Sequence, residues 1–137
     1  MQRWVLDTNV VLDWLVFDDP AIRPLEARLR DARAQWLSCA PMRAELDDVI
    51  ARPAFARRGS DLAARLHALY ARHALELPIP APTPRLCCRD ANDQMFIDLA
   101  LQQRANWLFT RDRALLELAP RALAWGLRIA PPSALPD

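Results

Sequence analysis

The chain has 137 residues, 53% hydrophobic and 26% charged, with a formal net charge of +1. That length suffices for one sizeable core, and that composition excludes a disordered chain. The near-neutral balance excludes a global basic field, so any nucleic-acid contact must come from local patches.

Arg3–Leu6 reads as a short buried strand. A helix over Asn9–Phe17 follows, with Val10, Val11, Trp14 and Leu15 on one side. Asp19-Pro20 is a stop-and-start signal, and Leu25–Arg33 reads as a second, Arg-rich helix. Gln35–Cys39 is a second strand, Pro41 sits where a helix can begin, and Met42–Ala51 is helical until Pro53 ends it. Ser60 is the expected cap of a helix over Asp61–Leu75, striped by Leu62, Leu66, Leu69 and Tyr70. PIPAPTPRLCC holds four of the 12 prolines and reads as an extended loop, with room for a short strand at its start. Asn92–Arg104 is a strong helix, Trp107–Thr110 a buried strand, and Arg113–Leu118 a helix extended by Ala122–Trp125 until Gly126 stops it. Leu127–Ala130 is the last strand, and PPSALPD is a tail. Short strands alternating with helices predict an α/β fold: one domain over 1–137, with a parallel sheet covered on both faces. In such sheets, sites form outside the carboxyl ends of the strands.

All 18 basic residues are Arg, which reads as compositional bias. Cys39, Cys87 and Cys88 are an odd set without metal-type spacing, which predicts reduced thiols. No leader-like segment precedes the first strand, and no apolar run reaches the ~18 residues of a membrane span. A soluble, cytoplasmic protein is the expectation.

Helical geometry sorts the acids. In Met42–Ala51, Glu45 borders the Met42/Leu46/Val49/Ile50 stripe, while Asp47 and Asp48 project away. In DANDQMFIDLALQQRA, Asp93 shares the face of Phe96, Ile97, Ala100 and Leu101. Gln94, Asp98 and Gln102 form the opposite polar stripe, so Asp98 is expected to be solvated. Asp90 lies one turn upstream of Asp93 or just outside the helix. Asp7 and Asp112 follow strands and precede helices, which puts both at the sheet's crevice. Asp13 faces away from the apolar side and reads as a surface acid.

Asp is a favoured helix cap, and capping alone accounts for any one of Asp7, Asp93 or Asp112. Glu45 alone is equally a border residue paired with an Arg. Together they imply several half-buried like charges at one crevice, a costly arrangement without a positive compensator. His67 and His73 lie far from these motifs. Oxygen ligands alone point to a hard divalent cation, Mg²⁺ or Mn²⁺.

At these residues the sequence resembles a PIN-domain ribonuclease. Four pieces match in the family's order: VLDTNVVL, PMRAELDDVI, DANDQMFIDLALQQRANWLFTRD and a closing LRIAPPSAL. The chain is most similar to bacterial PIN proteins of type II toxin–antitoxin pairs. The resemblance implies metal ligands at Asp7, Asp93 and Asp112, with Glu45 as a ligand or a water-positioning base. It implies polar helpers at Asn9 and Thr110, with Asp90 in a lesser role behind the ligands. The expected activity is metal-dependent endoribonuclease cleavage of RNA, leaving a 5′-phosphate and a 3′-hydroxyl. A cognate antitoxin and a homodimer are the expected partners. Arg43, Arg111 and Arg113 flank the motifs and are the candidate phosphate clamps. The long proline-rich stretch exceeds what minimal toxins carry. A solitary PIN nuclease of RNA processing, or a non-catalytic PIN scaffold, therefore stands as the alternative. A haloacid-dehalogenase-type phosphatase would need Asp where Asn9 stands, and a Lys that the chain lacks.

Overall fold

The computed structural model describes residues 1–59 and 61–136. Five strands form one wholly parallel sheet: β1 (Gln2–Leu6), β2 (Ala34–Cys39), β3 (Ala74–Leu77), β4 (Trp107–Phe109) and β5 (Arg128–Ala130). Their order is β3-β2-β1-β4-β5. The chain builds outward from β1 to one side, then returns to β1's other side for β4. This reversal opens a crevice at the carboxyl ends of β1 and β4. Trp4 pairs with Trp36 and Trp107 across the three central strands.

The helices are α1 (Thr8–Leu15), α2 (Arg23–Arg30), α3 (Ala40–Ile50), α4 (Pro53–Ala56), α5 (Leu62–His73), α6 (Gln94–Gln102), α7 (Arg113–Leu116) and α8 (Ala119–Ala122). Strand alternation divides the interior into two cores. Trp4, Leu6, Trp36, Trp107 and Phe109 face a core with α1, α2 and α5. Val5, Leu37, Cys39 and Leu108 face the other, with α6 and α7. The α3 helix serves both: Leu46, Val49 and Ile50 enter the first core and Met42 the second. Both faces of the sheet are therefore covered, as its near-continuous apolar strands require.

Two expectations shift, and a third is not tested. Leu75 belongs to β3, ahead of the proline-rich stretch and not within the preceding helix. Pro53 sits in the first turn of α4, where its missing N–H costs nothing. The cap expected at Ser60 lies outside the described residues. Gly126 closes the turn after α8 at φ +71°, as a helix stop requires.

Asp98 overturns its expected solvation. It is 7% exposed, and its Oδ1 accepts from the Thr83 amide at 3.1 Å and from Gln94 Nε2 at 3.0 Å. Gln94 also donates to Leu86 O at 2.9 Å and accepts from the Cys88 amide at 2.6 Å, and Gln102 accepts from the Ala81 amide at 2.9 Å. The polar stripe of α6 holds the proline-rich segment as a strap. Its backbone donors, unpaired by any strand, find side-chain acceptors there. Asp13 is likewise no free surface acid: it is half-buried and bonded to Arg111 at 2.6 Å.

Candidate active site

Asp7 directly follows β1. Its amide donates to Phe109 O at 2.9 Å, which ties the ends of β1 and β4 together. Its Oδ1 caps α1 through the Thr8 amide at 2.6 Å. Its Oδ2 accepts from Thr110 Oγ1 at 2.6 Å. Thr110 Oγ1 also accepts from the Asp112 amide at 3.0 Å, and Asp112 Oδ1 caps α7 through the Ala114 amide at 3.0 Å. Asp90 caps the 3₁₀ turn Ala91–Asp93 through the Asn92 amide at 3.0 Å. Capping and crevice placement thus coincide. A strand end followed by a helix start delivers a carboxylate whose orientation the cap fixes.

Asp7, Asn9, Glu45, Asp93 and Asp112 line one cleft of about 280 Å³ with Thr8, Leu12, Val49, Arg52 and Phe55. Carboxylate oxygens of Asp90, Asp93 and Asp112 lie within 4.8 Å of one another. Asp90 therefore stands beside Asp93 and Asp112. Thr110 is fully buried under the cleft floor.

The electrostatics follow from this crowding. Burial, with weaker repulsion from Asp112 and Glu45, pushes the Asp7 carboxyl up to about 6, against the lowering effect of its Thr110 and Thr8 hydrogen bonds. Burial pushes Asp93 up to about 8, aided by Asp112, Asp7 and Asp90. Asp112 is held below the usual carboxylate range, first by its interaction with Asp93. With no cation, Asp93 keeps the proton that Asp112 gives up. Asp93 Oδ2 is buried without a hydrogen-bond partner among the described residues. An orphaned carboxylate oxygen beside two further carboxylates, all oxygen donors, fits a hard divalent cation.

The candidate phosphate clamps lie elsewhere. Arg43 bonds Asp47 at 3.3 Å and covers the Tyr70 ring at 4.7 Å. Arg111 bridges Asp13 at 2.6 Å and Asp19 at 3.0 Å. Arg113 is exposed on α7. None of the three lines the cleft; Arg52 does. Arg52 lies past the end of α3, in the extended residue before α4, so helical spacing from Glu45 does not announce it. Thr8 was also missed. Its hydroxyl donates to Glu45 Oε2 at 2.6 Å, linking α1 to α3. No local signal announces a partner 37 residues away.

Comparisons with known proteins bear on the family and the fold. The PIN domain family matches residues 3–114. Among solved structures, a chain of VapBC2 from Rickettsia felis, bound to a DNA fragment from its promoter, has the same fold: TM-score 0.66 at 13% identity, covering 93% of this chain and 98% of that one. No curated protein matches in sequence. The strand order, the convergent acids and the match over most of the length lead to one assignment: the chain belongs to the PIN-domain family of nucleases.

Proposed function

We propose that this protein is a Mg²⁺- or Mn²⁺-dependent endoribonuclease and the toxin of a type II toxin–antitoxin pair. The observation that carries the nuclease reading is Asp93 Oδ2, buried and unpartnered beside Asp90 and Asp112. Asp7, Asp93 and Asp112 would hold the cation, with Asp90 at the same cluster. When bound, the cation lowers the pKa of a water and offsets charge on the phosphate oxygens. Thr110 holds Asp7 in one rotamer, and its hydroxyl lowers the cost of keeping that buried carboxylate ionised. Glu45, half-buried and fixed by Thr8, is the group placed to orient or deprotonate an attacking water. Asn9 lines the cleft and is exposed there, where it would contact a ligand or water.

The toxin reading is supported by the fold shared with a VapBC2 chain. A cognate antitoxin would be its protein partner, and a homodimer its working form. Induced expression in a bacterial host tests this. Growth arrest that disappears with Asp93→Asn, and that a product of the adjoining reading frame relieves, is the expected result. Unchanged growth on expression, with RNA cleavage intact in vitro, would instead indicate a solitary nuclease.

A further inference from the structure

An acidic cleft repels the polyanion it is meant to cut, so a substrate needs cations at its rim. The α4 segment supplies them. Arg52, Arg57 and Arg58 are all exposed, and none forms an ion pair among the described residues. Arg52 lines the cleft itself, beside Phe55. Phe55 meets Phe17 edge-on, with ring centroids 6.2 Å apart. The Arg58 guanidinium lies over the Phe17 ring at 4.7 Å. Phe17 is 46% exposed, one of few large apolar side chains left in solvent. Two aromatic rings flanked by cations thus run outward from the carboxylates: Arg52, Phe55, Phe17, Arg58.

We propose that this ridge is the docking site for a single-stranded nucleic-acid segment flanking the scissile phosphate. Arg52 takes a backbone phosphate next to the cleft, and Phe17, backed by Arg58, stacks a base. Stacking needs an unpaired base with an exposed π-face, so the ridge selects single strands over duplex. Arg is suited to both duties, since its planar fork binds phosphate and lies flat on rings. The inference rests on the nuclease reading for its substrate but is tested by binding, not by cleavage.

The experiment is fluorescence anisotropy with a labelled single-stranded oligouridylate over a salt series, in an Asp7→Asn background so that the probe stays intact. Phe17→Leu keeps an apolar contact with Phe55 but removes the π-face; it should weaken binding about fivefold or more. Arg52→Gln should flatten the slope of log affinity against log salt by about 0.7, the single-strand value for one lost phosphate contact. Arg121→Gln, on α8, should change neither. A duplex of the same length should bind more weakly than the single strand, and Phe17→Leu should leave its affinity unchanged. Thermal midpoints check that each variant is folded. Folded Phe17→Leu and Arg52→Gln proteins that bind the single strand like the parent would overturn the proposal. So would duplex binding as tight as single-strand binding. Failure of the parent chain to cut RNA in Mn²⁺ would instead count against the nuclease reading.

Discussion

The hydroxyl of Thr110 donates to the carboxylate of Asp7 across 2.6 Å, joining residues 103 positions apart. It is the polar bolt between the two strands whose ends form the cleft. Its removal should separate activity from folding. Thr110→Val is predicted to raise the Asp7 pKa further, since this hydrogen bond lowers it, and to reduce cleavage about 10- to 100-fold. Thr110→Ser should restore both. Carboxyl-carbon NMR titration of Asp7, beside cleavage rates, checks the pairing.

The raised carboxyls set a pH dependence for the cation-free protein. A folded-state pKa above the unfolded value gives stability that is complete below the unfolded pKa and lost as pH rises through the folded one. For Asp7 that window runs from its ordinary 3.8 to about 6, a difference of about 3 kcal/mol. For Asp93 it extends to about 8. Asp112, shifted down, works in the opposite direction and offsets part of this loss. In chelator, thermal midpoints should fall from pH about 4 to about 8 by more in the parent than in Asp7→Asn. A parent curve parallel to that of Asp7→Asn would refute the assignment.

Asp93→Asn should trade function for stability. Above pH about 8 the ionised Asp93 repels Asp112, whereas an amide there can still donate to it. At pH about 9 in chelator the variant is predicted to melt above the parent, by about 1–3 kcal/mol in stability, and it should lose the rise in midpoint that Mn²⁺ gives the parent. Calorimetric melts with and without Mn²⁺ measure both effects.

Asp98→Ala should free the strap. Two donors, from Thr83 and Gln94, lose their acceptor in a partly buried place, at a cost of about 1–3 kcal/mol. Limited proteolysis should then cut near Arg85 faster than in the parent.

That prediction marks where reading the sequence alone stops. A helical wheel ranks the faces of α6 against the sheet, and it placed Asp93, Phe96 and Ile97 inward. It cannot see a second layer, and the strap that buries Asp98 pairs through backbone amides that leave no side-chain pattern. The four principal acids were legible because each follows a strand or borders an apolar stripe, which are local signals. Thr8–Glu45 and Arg111–Asp13–Asp19 were not, because they join elements that only the fold brings together. Arg111 beside Asp112 in sequence is a neighbour whose side chain turns to α1.

The central claim is that the carboxylate cleft cuts RNA with a divalent cation, and Mn²⁺-dependent cleavage of labelled single-stranded RNA tests it most directly. The parent should cut in Mn²⁺ and not in chelator, leaving 5′-phosphate ends, while Asp93→Asn, folded by its melt, should lose about 100-fold or more. Cleavage that persists in chelator, or that survives Asp93→Asn undiminished, would contradict the account.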